Sequence, residues 1–152
     1  MEGLTIRSIA GHDVQAVGSI ARLSPEAAQW PAADIERLVG GEVRGIQGWI
    51  GEVGGELAGF LVTRSAADEV EILNIAVAPQ SRRAGVGSRL LKHALEMARA
   101  AGARRMFLEV RESNRAAIAL YARHGFQPAG RRENCYSAPA EAALLLVRAL
   151  QG

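Results

Sequence analysis

The stretch that most constrains this chain is Ala76-Val77-Ala78-Pro79-Gln80-Ser81-Arg82-Arg83-Ala84-Gly85-Val86-Gly87-Ser88-Arg89-Leu90-Leu91. An apolar run stops at Pro79. A loop with two arginines and two glycines follows and leads straight into a run with helical spacing. Glycine lets the backbone turn sharply and lets a ligand come close to the main chain. A helix start presents N–H groups without intrahelical acceptors, at the positive end of the helix dipole. Together these features suit a pyrophosphate. The plainer alternative is a glycine-rich helix start that holds nothing. A dinucleotide fingerprint is ruled out, because no third glycine stands at the required spacing. A Walker loop is ruled out, because no Gly-Lys-Ser/Thr follows. The residues alone therefore point to phosphate binding without nucleotide hydrolysis.

Periodicity predicts the elements around this loop. Leu4–Ile9 alternates as a strand. Val14, Val17, Ile20 and Ala21 have helical spacing within Asp13–Leu23, with Asp13 as N-cap and Ser24-Pro25 as the stop. Pro31 opens a second helix over 32–39, ended by Gly40-Gly41. Ile46–Val53 and Glu56–Ser65 read as a hairpin closed at Gly54-Gly55, since tight primed turns need positive φ. Glu69–Val77 is a third strand. Gly85–Ala101 is a helix with Val86, Leu90, Ala94, Met97 and Ala98 on one face, closed by Gly102. Arg105–Val110 is a strand. Ser113 or Asn114 caps a short helix that runs to His124, with Gly125 as its C′ residue. Strands follow around Gln127–Arg131 and Ala142–Ala149. This order predicts a mixed α/β or α+β sheet rather than a regularly wound fold. With 152 residues and no linker, repeat or low-complexity stretch, a single domain over 1–152 is expected.

Composition excludes several classes. A hydrophobic content of 49% with 22% charged residues is incompatible with disorder. No apolar run approaches the ~18 residues a bilayer requires. The N-terminus has no long apolar core or cleavage site, so no secretion signal is expected. The single cysteine, Cys135, permits no disulfide within the chain, and a cytoplasmic location is expected. Eighteen Lys and Arg against 16 Asp and Glu leave a net charge of only +2, and aromatics are 5%. No basic block or stacking platform for nucleic acid is present. The pairs Arg82-Arg83, Arg104-Arg105 and Arg131-Arg132 instead suit one anionic ligand. No His, Cys, Asp or Glu spacing suggests a metal. His12 and His93 are expected on helix surfaces, and His124 at a helix C-terminus whose dipole supports its charge.

Two longer motifs carry a family resemblance. Arg82-Arg83-Ala84-Gly85-Val86-Gly87 resembles the Arg/Gln-x-x-Gly-x-Gly/Ala element of the GNAT superfamily of N-acetyltransferases. Leu108-Glu109-Val110-Arg111-Glu112-Ser113-Asn114, followed by Ala117-Ile118-Ala119-Leu120-Tyr121 and Gly125-Phe126, resembles its ribosomal-protein-alanine acetyltransferase (RimI-like) branch. The likeness covers about residues 69–136. It implies a GNAT fold: a mostly antiparallel sheet of six or seven strands, strands four and five splayed apart, and about four helices. It implies acetyl-coenzyme A as cosubstrate, with no metal. Its pyrophosphate would lie on Arg82, Arg83, Ala84, Gly85, Val86, Gly87 and Ser88. Its pantetheine arm would lie along Ile75, Ala76 and Val77 and against Asn114 and Ala117.

The implied reaction is attack of a neutral amine on a thioester. It needs a base, an acid for the leaving thiolate and donors for the carbonyl oxygen. Alternation over Arg105–Val110 places Glu109 opposite Leu108 and Val110, where it is expected to be shielded from casual solvation. Its residues leave open a base or a structural ion pair with a nearby arginine. The resemblance favours the base, with Glu71 in reserve on the strand that also carries Glu69. Asn114, Ala117, Ile118 and Tyr121 share a helical face. Tyr121 reads as a core aromatic or, by the resemblance, as the acid. Cys135 is not expected to act as a nucleophile.

Neutralising a lysine at pH 7 costs about 4–5 kcal/mol, and an α-amine only about 1 kcal/mol. This favours a protein N-terminus, which the branch resemblance identifies with that of a ribosomal protein. The hairpin Arg131-Arg132-Glu133-Asn134-Cys135-Tyr136-Ser137-Ala138-Pro139 departs from the branch pattern, with Cys135 replacing a tyrosine, and Glu141-Ala142 replaces Glu-Asp. A small amine is therefore the rival acceptor, and a non-catalytic acetyl-coenzyme A-binding module the rival class. Gln29-Trp30-Pro31 reads either as core packing or as a peptide-groove wall.

Overall fold

Gly54 and Gly55 take φ values of 61° and 83°, and the turn they form starts an antiparallel meander. The computed structural model describes residues 3–23, 35–37, 40, 44–137 and 140–150. In chain order the strands and α-helices are β1 (Leu4–Ser8), α1 (Val14–Arg22), β2 (Ile46–Val53), β3 (Glu56–Ala66), β4 (Glu69–Val77), α2 (Val86–Ala100), β5 (Arg105–Arg111), α3 (Arg115–Arg123), β6 (Gln127–Ser137) and β7 (Ala140–Ala149). Short 3-10 turns occupy Gly11–Asp13 and Pro79–Ser81. One seven-stranded sheet runs in the order β1-β2-β3-β4-β5-β7-β6. Every neighbouring pair is antiparallel except β4 and β5.

The expected mixed sheet is therefore present, with three full α-helices and part of a fourth among the described residues, in line with the about four helices expected. Of the helix expected over 32–39, only residues 35–37 are described, and they are helical. Gln29, Trp30 and Pro31 lie outside the described residues. The two last strands are longer than the short runs expected, because β6 and β7 pair as one long hairpin.

Alternation along the strands separates two cores. Trp49 and Leu61 pack with Leu90, Leu91, Ala94 and Leu95 of α2, while Ile50, Phe60 and Val62 pack with Val17, Ile20 and Ala21 of α1. Successive side chains of a strand point to opposite faces, so α1 and α2 cover opposite sides of the sheet. His93 is half-buried rather than on the surface, with its ring 5.5 Å from that of Trp49. A helix face wide enough to cover the sheet takes in its flanking position too.

Asp13 stands at the N-cap position of α1 but makes no capping bond to that helix. Its carboxylate instead accepts from the Ala10 N–H at 2.7 Å and from Arg7 at 2.9 and 2.8 Å. Burial pushes its pKa up, but the Arg7 and Ala10 hydrogen bonds outweigh that and hold it below the ordinary value. Arg7 also pairs with Glu52 on β2. The entry to α1 is thereby tied to the sheet.

β4 and β5 pair over only three rungs, Glu69↔Arg105, Val70↔Met106 and Glu71↔Phe107. Past these, β4 continues alongside β3 as far as Val77, and β5 alongside β7 as far as Arg111. The sheet thus opens between residues 72–77 and 108–111, as the splay expectation required. A bulge in β4 contributes: Thr63 faces Ile72 and Val62 faces Asn74, so Leu73 is the extra residue. Leu73 stays on the α1 side, and past it the bulge moves Ile75 and Val77 to the α2 side and Ala76 to the α1 side.

Glycine lets α2 sit close above β3. A Cβ on Gly59 would stand 2.9 Å from the Ala76 carbonyl oxygen, 3.1 Å from Val86 and 3.3 Å from Leu90. Gly59→Ala should therefore destabilise the protein by about 1–3 kcal/mol, the range for overpacking. An unchanged urea midpoint would show that α2 is not seated this closely.

Candidate active site

The loop between β4 and α2 is built from local backbone geometry. The Ser81 N–H donates to the Ala78 carbonyl at 2.9 Å, closing a 3-10 turn after Pro79. Arg83 then takes a φ of 64° and Gly85 a φ of 82°. The Gly85 carbonyl accepts from the Arg89 N–H at 3.0 Å as the first helical bond. The N–H groups of Val86, Gly87 and Ser88 precede any intrahelical acceptor and point out of the helix start. Arg83 is exposed. The Val86 side chain is buried in the core, so only its main chain can face a ligand.

Arg82 is used differently from its neighbour. Its Nε donates to the Val77 carbonyl at 3.3 Å, and its Nη2 to the Leu23 carbonyl at 3.1 Å. The guanidinium thus fastens the loop to the end of β4 and to the end of α1. Ser88 directs its hydroxyl to His124 Nε2 at 2.6 Å. A Cβ on Gly87 would stand 3.5 Å from Leu120 and 3.6 Å from Val77. The first turn of α2, the end of β4 and α3 therefore converge where the sheet opens, and the loop sits at the mouth of that opening.

α3 contributes the other wall. Asn114 is the cap: its Oδ1 accepts from the Ala117 N–H at 3.1 Å, which decides between the two cap candidates. Ala117, Ile118 and Leu120 pack against the α2-side core, and Tyr121 is buried within it. The Tyr121 ring lies 5.5 Å from Phe126, edge to face. Burial raises the phenol pKa above its ordinary value.

Glu109 lies on β5 beyond the last β4–β5 rung, with its carboxylate on the face opposite Leu108 and Val110. It is not shielded as its apolar neighbours suggested, since its side chain is 33% exposed. Leu108 and Val110 point to the other face and cannot cover it. Arg132 on β6 donates to Glu109 Oε1 at 2.7 Å. That contact depends on a bulge at Ala129. Pro128 faces Leu146 and Gly130 faces Leu145, so the strand parity changes and Arg132 arrives on the Glu109 face. Glu71, by contrast, sits where β4 and β5 are still paired and accepts from Arg64 at 2.5 Å. Glu69 pairs with Arg105 at 2.9 Å.

Sequence reading missed the partners at the far end of β5. Glu141 accepts from Arg111 and from the Ser113 N–H and hydroxyl, all at 3.0 Å. The Arg111 bond first, and then Ser113, hold its pKa below the ordinary value. Arg131 donates to Glu112 at 2.6 and 3.1 Å. Both contacts cross between strands, so no local spacing reveals them.

These features match a known family. Residues 19–126 match the model of the acetyltransferase (GNAT) family, and the chain belongs to that family. Among its relatives, the putative ribosomal protein bS18-alanine N-acetyltransferase of Bacillus subtilis (strain 168) is 40% identical over 95 residues, 62% of this chain and 63% of that protein. The ribosomal protein bS18-alanine N-acetyltransferase of Escherichia coli (strain K12) is 44% identical over 82 residues, 54% of this chain and 55% of that protein. The matched segments span less than two thirds of either relative. The crystal structure of the ribosomal-protein-S18-alanine N-acetyltransferase from Escherichia coli superposes with a TM-score of 0.86 at 30% identity, covering 98% of this chain and 95% of that one. Arabidopsis thaliana NAA60, solved in complex with acetyl-CoA, shares the fold with a TM-score of 0.84 at 20% identity, over 98% and 99% of the two chains.

His124 departs from its expected charge preference. Its pKa is held below the ordinary value, first by burial and then by the charges of Arg123, Arg148 and Lys92. The C-terminal end of α3 is answered instead by Arg148, which donates to the His124 carbonyl at 2.6 Å. An unfolded histidine titrates near ~6.5. The folded ring holds its proton less tightly, so this contribution to stability is complete above that pH and is lost as pH falls through it. Between about pH 7.5 and 5.5, the urea midpoint of the parent protein should therefore drop further than that of His124→Gln. Equal drops would contradict the assignment.

Proposed function

We propose that residues 1–152 form one N-acetyltransferase domain. It transfers acetyl from acetyl-coenzyme A directly to the α-amino group of a protein N-terminus, with a ribosomal protein as the candidate acceptor. The observation that carries this reading is the coincidence of three features: a sheet parted between β4 and β5, an amide-lined helix start at its mouth, and a carboxylate just inside it. The bS18-alanine specificity named for the Bacillus and Escherichia relatives supports the choice of acceptor. The acetyl-CoA complex of the Arabidopsis protein supports the choice of donor within this fold.

In this reading the N–H groups of Val86, Gly87 and Ser88 receive the diphosphate, with Arg83 adding charge from the exposed side. Arg82 holds the loop in shape. The backbone of Ile75, Ala76 and Val77, free of a β5 partner, pairs with the pantetheine arm and polarises the thioester carbonyl. Ala117 leaves space for the arm, and the Asn114 amide can donate to it while its oxygen caps α3. Glu109 takes the proton that the attacking amine loses as the C–N bond forms. Tyr121 returns a proton to sulfur as the C–S bond breaks. A phenol with an ordinary pKa near ~10 already holds that proton across the neutral range. Glu109 stands beyond the branching point and Glu71 before it, which favours Glu109 as base.

The replacement of a motif tyrosine by Cys135 favours a second acceptor class, a small amine. Thiol release from acetyl-coenzyme A, measured with peptides bearing N-terminal alanine and with a small-amine panel, separates the two. Peptides should be the better acceptors, and release with neither class would leave a binding module. Glu109→Gln and Tyr121→Phe should each lower kcat at least about tenfold with little change in coenzyme A affinity. Unimpaired turnover in Glu109→Gln would remove it from the reaction and turn attention to Glu71.

A further inference from the structure

Next to the helix-start loop lies an open groove of about 440 Å³ between α2, α3 and β7. Lys92 and Arg99 line it from α2, Arg123 and His124 from the end of α3, and Arg148 from β7, with Glu96 as its one acidic residue. Ser88, Lys92 and Arg99 lie at i, i+4 and i+11, so they share one face of α2. Two of the arginines are fastened by carbonyl groups. Arg99 Nε donates to Leu150 at 3.4 Å, and Arg148 Nη1 to His124 at 2.6 Å. Lys92 and Arg123 are exposed and pair with no carboxylate among the described residues.

The groove and the loop are joined. His124 lines the groove, and its ring meets the Ser88 hydroxyl of the first α2 turn at 2.6 Å. Lys92 lies one helical turn beyond Ser88, a rise of about 6 Å. Like charges gathered with so little acidic compensation repel one another, and a bound anion relieves that repulsion. The lowered pKa of His124, caused in part by Arg123, Arg148 and Lys92, reflects the same crowding. The site therefore offers two anion positions a few ångströms apart, one made of main-chain amides and one of side-chain cations. The chemistry that matches is a nucleotide with a diphosphate and a separate phosphomonoester.

The geometry points to Lys92 and Arg123 as the subsite for the 3′-phosphate that distinguishes coenzyme A from its dephospho form. This rests on the reading that Gly85–Ser88 receives the diphosphate. Arg123 presents a planar fork suited to two phosphate oxygens, and Lys92 a mobile point charge. Neither residue belongs to the groups that handle the thioester.

Calorimetric titration with coenzyme A and with dephospho-coenzyme A, on the parent protein and on the Lys92→Ala/Arg123→Ala double variant, tests the assignment. The parent should bind coenzyme A at least about tenfold more tightly than the dephospho form. In the double variant that ratio should fall towards one, with the dephospho Kd moving by less than about twofold. Thermal melts of the two proteins, expected to coincide, guard against a folding defect. Equal Kd values for the two compounds in the parent overturn the subsite, as does a variant that weakens both compounds by one factor. Binding of both compounds at equal strength removes the subsite and leaves the diphosphate reading standing. Binding of neither removes both.

Discussion

The separation of β4 from β5 after three rungs is the constraint on which the rest of the site depends. Each strand is held along its length by its other neighbour, β4 by β3 and β5 by β7. A parallel pair also needs a crossover connection, and here α2 supplies it. The helix leaves the end of β4 and returns the chain to the start of β5. Close packing of α2 over Gly59 and Gly51 fixes where its first turn falls. Backbone polar groups inside a sheet are normally paired. In the proposed reading, the mid-sheet opening that ends beside the helix N–H groups of Val86, Gly87 and Ser88 receives an extended ligand with an anionic end.

Charge is distributed around that opening in a graded way. Glu69, Glu71 and Glu112 are each neutralised by an arginine at the sheet surface. Glu141 ties the end of β5 to the start of β7 through Arg111 and Ser113. Such exposed pairs add little to stability. Glu109 is also paired, with Arg132, and differs in lying past the branching point. Lys92 of α2 and Arg123 at the end of α3 pair with no carboxylate among the described residues.

Much of this was legible because it is local. The strand–loop–helix at Ala76–Leu91 announced itself through Pro79, Gly85 and Gly87. The Gly54-Gly55 turn and the Asn114 cap rest on short-range chemistry, and both are present. The change of parity in β4 also left a trace, since the apolar positions shift from Val70 and Ile72 to Ile75 and Val77 around Leu73. Other features were illegible. Asp13 spends its carboxylate on Arg7 and Ala10 rather than on α1. His93 turns against Trp49, and Arg82, although exposed, donates to the carbonyl groups of Val77 and Leu23. Each outcome depends on residues far away in the chain.

The sequence by itself determined the order of elements, the glycine-bearing helix start and the chemical identities of Glu109 and Tyr121. These follow from side-chain periodicity and from backbone freedom at a few positions, which act over a handful of residues. Only the tertiary structure decided that Arg132 rather than Arg131 reaches Glu109, because a single extra residue at Ala129 reverses which face each side chain takes. Only it decided that Glu109 stays partly exposed while Tyr121 is buried, since burial is set by what packs opposite. It alone brought Lys92 and Arg123 from separate helices into one groove, because residues with no local coupling become neighbours only when helices dock on a common sheet.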